Sequence, residues 1–204
     1  MLADQLLRPL EALRAHYYLH RDIKPKNFLL GSTIGRQGNV FYLTDLSLAV
    51  HRRPDQWDYS RIDSRAELPA RPPKLLGTCR CASINGHLDV AQSWWDDLEA
   101  MGYMLVYFLR GRLPWQRLKA KDDAKYQLVL EQKQTISDSR LCSGLPVEFA
   151  EAISYVANSR DSGKPDYHHL WKMFSKLFRR QGFTIREFER LEINKKTSND
   201  LDAN

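Results

Sequence analysis

An acid, a base and an amide stand close together in "HRDIKPKN", residues 20–27, and a second acid, Asp45, closes the apolar run "VFYLTD" further on. Phosphoryl transfer is one chemistry that uses these side-chain types in this order. An aspartate (Asp22) accepts the proton of an attacking hydroxyl, and a lysine two residues later (Lys24) neutralises charge on the moving phosphoryl group. An asparagine (Asn27) and a second aspartate (Asp45) can hold a magnesium ion on the phosphates. The chemistry asks mainly for positioning and countercharge, and these four side chains supply both. "HRD" alone arises often by chance, and a lone Asp-Lys pair is more often a surface ion pair. The full run H-R-D-x-K-P-x-N, followed across a β-ribbon by an aspartate, is far more specific.

The elements that must position these groups are legible in outline. Leu6, Leu10, Leu13 and Tyr17 form one stripe of an amphipathic helix. Pro9 lies inside that stripe, so the helix is expected to start near Pro9 or to bend there. "NFLLG" and "VFYLTD" read as two short strands, joined by a glycine-marked loop into a ribbon. Residues 51–80 hold seven Lys/Arg, four Asp/Glu and four of the nine prolines, which predicts a long irregular segment.

From Ser93 the helical signal returns. Ser93 is a candidate cap, Asp96, Asp97 and Glu99 suit the positive end of a helix dipole, and "LEAMGYMLVYFLR" is apolar nearly all round. That predicts a helix in the middle of its domain, ending at Gly111. "LPVEFAEAISYVANS" and "PDYHHLWKMFSKLFRRQG" predict two more, each begun near a proline, the second closed by Gly182. The expected fold is mainly α (α+β): a helical body with a short β-ribbon beside the loop at 20–27.

Composition bounds the setting. The chain has 204 residues, 43% hydrophobic and 11% aromatic, which suits one domain or one large lobe with a true core. A formal charge of +6 favours anionic partners. No finger spacing, arginine-glycine tract or basic helix with interleaved aromatics points to nucleic acid. Cys79, Cys81 and Cys142 are odd in number and show no C-x-x-C pairing, which reads as a reduced intracellular chain, cytoplasmic or nuclear. "MGYMLVYFL" at 101–109 is far shorter than the roughly 20 residues a membrane span needs. No membrane role is expected. "NKKTSNDLDAN" reads as a loose polar tail.

The segments "HRDIKPKNFLLG", "GTCRCASIN", "DDLEAMGYMLVYFLRGRLPWQ" and "KPDYHHLWKMFSKLFRRQGF", in this order, resemble the casein kinase 1 group of eukaryotic protein kinases over roughly residues 2–183. "ASIN" stands where most kinases carry A-P-E. The resemblance implies a kinase C-lobe over 1–183, with a catalytic loop at 20–27, an activation segment at 45–85 and a helical subdomain at 93–183, then an extension at 184–204. It implies ATP and Mg²⁺ as cofactors, Ser or Thr as acceptor, and acidic or already phosphorylated protein substrates. Asp22 is then the catalytic base, Lys24 the phosphate-facing lysine, and Asn27 and Asp45 the metal ligands. Asp97 matches the buried carboxylate that ties the catalytic loop to the central helix, although Asp96 beside it is an alternative. Arg80, Gln116 and Lys125 match an anion site for a phosphate on the substrate. Arg21 matches the arginine that grips a phosphorylated activation segment.

The sequence also departs from the family. No G-x-G-x-x-G occurs in it, so these residues correspond to the C-lobe alone, and the face that an ATP-gripping lobe would cover is expected to take a partner or to aggregate. "DLS" at 45–47 replaces D-F-G, and Ser47 in place of glycine is expected to strain the backbone beside Asp45. Cys81 and Arg117 replace a tyrosine and a glycine, and Val50 and His51 stand where the family carries lysines. Two other readings follow from these departures: a catalytically silent scaffold, and a phosphopeptide-binding module built on Arg80, Gln116 and Lys125.

Overall fold

The structure, a computed structural model, describes residues 2–31, 40–51, 77–88, 90–118 and 122–183. The loop joining the ribbon strands, residues 52–76 of the long segment and the extension at 184–204 lie outside the described residues.

Helix α1 spans Leu2–Ala15 and runs through Pro9, so it does not begin there. The lost hydrogen bond of an interior proline costs about 3 kcal/mol or more. Burial of Leu6, Leu7 and Leu10 around it offsets that, each full burial stabilising by about 1.5–3 kcal/mol. Strand β1 (Tyr18–Leu19) follows, and further on come β2 (Phe28–Leu30), β3 (Phe41–Leu43) and β4 (Val50–His51). β2 and β3 form the expected antiparallel ribbon, with Phe28 opposite Leu43 and Leu30 opposite Phe41. A second ribbon, β1 with β4, gave no sequence signal because each strand has only two residues.

Beyond the long segment the body is helical: α2 (Ile84–Leu88), α3 (Trp94–Arg110), α4 (Asp122–Thr135), α5 (Asp138–Leu141), α6 (Val147–Asn158) and α7 (Tyr167–Arg180). α3 is the axis of this body. Ser93 caps it, with a reciprocal box in which Asp96 accepts from the Ser93 N–H at 2.6 Å. Twelve α3 residues are buried, from Trp94 to Val106, and Gly111 ends the helix at φ 71°. Leu6 and Leu10 of α1, Leu98 and Met104 of α3, and Leu170 and Phe174 of α7 share one core. Tyr103, Val106, Leu113, Trp115, Val129 and Leu141 form a second. Among the described residues the protein is mainly helical with two small sheets. Among the described residues no helix is long and apolar enough to cross a membrane.

α4 and α5 had no strong signature in the sequence. On α4, Val129, Leu130 and Lys133 are buried while residues 124–128 are exposed, so no apolar stripe runs its length.

Candidate active site

Residues 20–27 leave β1 and must turn sharply. Arg21 adopts φ 68°, and Pro25 opens a single 3₁₀ turn, Pro25–Asn27, closed by the Asn27 N–H on the Lys24 carbonyl at 3.0 Å. Proline suits this first position because its fixed φ is already that of the turn. Asp97 holds the start of the loop from α3: its two carboxylate oxygens accept the backbone N–H groups of His20 (2.8 Å) and Arg21 (2.9 Å). Asp96 does something else. It completes the α3 cap and pairs with Arg160 at 3.1 Å, so of the two adjacent acids Asp97 is the one bound to the loop. Burial pushes the Asp97 carboxyl up to about 7, against the two backbone bonds that favour its charge.

The Asp22 carboxylate sits at the floor of the loop, 7% exposed, and is held from three sides. Lys24 Nζ bonds to Oδ2, Asn27 Nδ2 reaches the same oxygen at 3.3 Å, and Thr78 Oγ1 donates to Oδ1 at 2.9 Å. Asn27 Nδ2 also donates to the Asp22 carbonyl at 2.8 Å. Among the described residues no hydrogen bond is made by Asn27 Oδ1, which leaves that oxygen for a cation.

The ribbon closes the gap between Asn27 and Asp45. β2 begins directly after Asn27, and β3 ends two residues before Asp45. The Thr44 N–H and hydroxyl both donate to the Asn27 carbonyl, at 2.8 and 3.1 Å, continuing the ribbon by one rung. His20 joins the same point from below. Its Nε2 lies 3.0 Å from the Thr44 carbonyl, and its Nδ1 accepts the Asp22 N–H at 3.3 Å, an arrangement that assigns the proton to Nε2. Burial holds this imidazole below the ordinary histidine range, although the Thr44 carbonyl and the charges of Asp22 and Asp45 act the other way.

Asp45 is exposed and left-handed, at φ 62° and ψ 71°. Positive φ was expected to trouble Ser47; it falls on Asp45 instead, and Ser47 lies in the 3₁₀ turn Leu46–Leu48. The reason is local: aspartate is among the few L-residues that tolerate this region. Ser47 Oγ donates to Asp45 Oδ1 at 2.6 Å, and this bond, with that of the Ser47 backbone, holds the Asp45 carboxyl below its usual range; Lys24 and His20 add smaller pulls. Asn27 Oδ1 and the Asp45 carboxylate are oxygen donors of the kind magnesium would take, with waters and phosphates filling its remaining positions. Among the described residues no closed group of three or more His, Cys, Asp or Glu is gathered for a metal.

Two residues escaped the sequence reading. Thr78 has no motif value until Asp22 is seen beside it. Gly77, at φ 88°, brings the chain so close that an added Cβ would lie 2.7 Å from the Arg21 carbonyl oxygen and 3.4 Å from Asp22 Oδ1. The signal was its place before the threonine in "GTCRC".

The segment after Thr78 is anchored from beneath. Lys133, 4% exposed, points its ammonium at the Cys79 and Ala82 carbonyls (3.0 and 2.6 Å) and at His87 Nε2 (3.0 Å). Burial lowers Lys133 to about 8 and His87 to about 3, so His87 meets the ammonium as a neutral acceptor.

The expected anion residues stand on three separate elements: Arg80 in this segment, Gln116 in the turn Pro114–Arg117 and Lys125 on α4. The Arg80 guanidinium stands 4.4 Å from the Tyr107 ring centroid, and among the described residues its buried Nε has no hydrogen-bond partner. The Arg80 carbonyl accepts Trp115 Nε1 at 2.8 Å, which sets it near Gln116. Gln116 Oε1 is engaged by the Leu113 N–H at 2.6 Å. Lys125 is exposed on α4, close enough to influence the Cys79 thiol. Arg21 Nε donates to the Leu48 carbonyl at 2.7 Å. No known protein-family model matches this chain.

Proposed function

We propose that this chain carries the helical C-lobe of a Ser/Thr protein kinase of casein kinase 1 type, which transfers the γ-phosphoryl group of ATP to protein Ser or Thr. The observation that carries the reading is the Asp22 carboxylate, gripped by Lys24, Asn27 and Thr78 at the foot of a ribbon whose other strand leads to Asp45.

Each residue then has a defined task. Asp22 accepts the proton of the substrate hydroxyl as it attacks, a role typically worth about 10²–10⁴ in rate. Thr78 and Asn27 fix the carboxylate so that one oxygen is aimed rather than free to rotate. Lys24 lies where it can pass from Asp22 to a phosphoryl oxygen as negative charge shifts there. Magnesium, when bound with ATP, supplies countercharge to the phosphates; Asn27 and Asp45 are the residues that would hold it. Exposed Leu29 and Leu46 flank this region and offer an apolar floor to a nucleotide base. Arg80 and Lys125, with Gln116, would take a phosphate on the substrate, in keeping with the positive charge of the whole chain.

A second reading is favoured by one observation, the buried Arg80 Nε without a partner among the described residues: a silent module that binds phosphopeptides. One experiment separates the two. The purified 204 residues are given Mg²⁺-ATP and an acidic, phosphoserine-primed peptide. Transfer that Asp22→Asn cuts by about 10²–10⁴ supports the kinase reading, and transfer unaffected by Asp22→Asn overturns it. No transfer, with primed-peptide binding that Arg80→Ala removes, selects the module.

A further inference from the structure

A cavity of about 400 Å³ opens into the helical body away from Asp22, between α3, α4, α6 and α7. Folded cores hold few hollows larger than a water molecule, and small-molecule pockets begin at about 300 Å³. Its inner wall is apolar: Leu98, Met101, Ile153, Val156 and Phe174. Its mouth is ringed by exposed Gln134 and Ala157 and half-buried Asp138.

The charged groups on the lining decide what fits. Lys133 directs its ammonium to the Cys79 and Ala82 carbonyls and to His87. Arg160 is paired with both Asp96 and Glu99, and Glu99 also accepts the Tyr103 hydroxyl at 2.6 Å and the Ile84 N–H at 3.1 Å. Arg160 is ion-paired and the three ammonium hydrogens of Lys133 already have acceptors, so an anionic ligand finds no free cationic donor inside. Water filling such a volume needs two to four polar partners per molecule, and here those groups serve one another. Asp138, which takes a hydrogen bond from Ser154, is the acid left at the entrance without a cationic partner among the described residues.

We propose that this cavity is a binding site for one small, largely apolar molecule, aromatic or branched aliphatic, whose single polar group is an uncharged or cationic hydrogen-bond donor set toward Asp138. The site is independent of the phosphotransfer reading, and its occupancy is read by binding rather than activity.

Two dyes that share their aromatic rings test it. N-phenyl-1-naphthylamine is neutral with one N–H donor; 8-anilino-1-naphthalenesulfonate adds an anionic group to the same frame. With the full chain, the neutral dye is expected to give a saturable, one-to-one fluorescence rise, and the sulfonate to bind at least tenfold more weakly. Ala157→Trp, which plugs the mouth from an exposed position, should weaken the neutral dye at least tenfold with an unchanged far-ultraviolet spectrum. Asp138→Asn should narrow the gap between the dyes threefold or more, and it serves if Ala157→Trp does not fold. Equal affinity for the two dyes, a rise that never saturates, or full binding to a folded Ala157→Trp variant overturns the proposal. So does binding that Leu29→Asn on the distant ribbon removes, since the dye would then report that surface.

Discussion

Asp22 and Asp97 divide the work: on the proposed reading Asp22 faces the reaction, while Asp97 holds the start of the loop through the His20 and Arg21 N–H groups. Asp22→Asn keeps the size of the side chain and its contact with Thr78, so the melting temperature should hold within a few degrees. Phosphotransfer should fall by about 10²–10⁴, measured as initial rate of radiolabel transfer. Asp97 enters stability through pH, and so does His87, with opposite sign. The folded Asp97 keeps its proton up to about 7 where a free one loses it near 3.8, so its contribution is full at low pH and is lost as pH rises through that window. The folded His87 refuses a proton down to about 3 where a free one takes it near 6.5, so its contribution is full above 6.5 and is lost as pH falls. Between about pH 4 and 6.5 each drives a slope of about 1.4 kcal/mol per unit, in opposite directions. Relative to wild type, His87→Gln should become more stable as pH falls through this range and Asp97→Asn less stable. Urea midpoints at pH 4, 5 and 6 check this; two variants with the wild-type slope would contradict it.

At the level of elements, Gly77 and Ser93 are the joints. Gly77→Ala places a Cβ against the Arg21 carbonyl and adds the cost of a left-handed L-residue, about 1–2 kcal/mol. It should lift Thr78 from Asp22, and activity should fall further than a Thr78→Ser variant's, which keeps the hydroxyl. Ser93→Ala removes the acceptor at the start of α3 and should cost about 0.5–2 kcal/mol, read by thermal unfolding. The cap at Ser93, the ribbon, the helices after Pro146 and Pro165 and the stop at Gly111 were all legible, because each rests on local chemistry of a few residues. α4 was not, because part of what it buries is a lysine, and a lysine reads as surface until three partners surround it. The pairing of β1 with β4 was hidden for a different reason: it joins residues about thirty positions apart with two rungs, and no pattern that short stands above chance. The site was half legible. Asp22, Lys24, Asn27 and Asp45 announce themselves by spacing; Thr78 reaches them only through the tertiary fold.

Across the whole molecule, Leu29 and Tyr42, opposite one another on the ribbon, expose apolar surface with Leu46 beside Asp45, and Leu29 and Leu46 are more than half exposed at 54% and 55%. A patch of this kind favours association. The chain should elute above its monomer mass of 23.8 kDa at tens of micromolar, and Leu29→Asn with Leu46→Ser should return it toward that mass without lowering its melting temperature. Wild type eluting as a monomer at that concentration contradicts the expectation. Lys133 offers a last consequence. Shut beneath residues 79–82, it is hidden from reagents that acylate amines, whereas Lys125, Lys172 and Lys176 stand open to them. Timed acylation followed by peptide mass spectrometry would therefore turn Lys133 into a clock, marking how often the strip that carries Thr78 peels away from its bed.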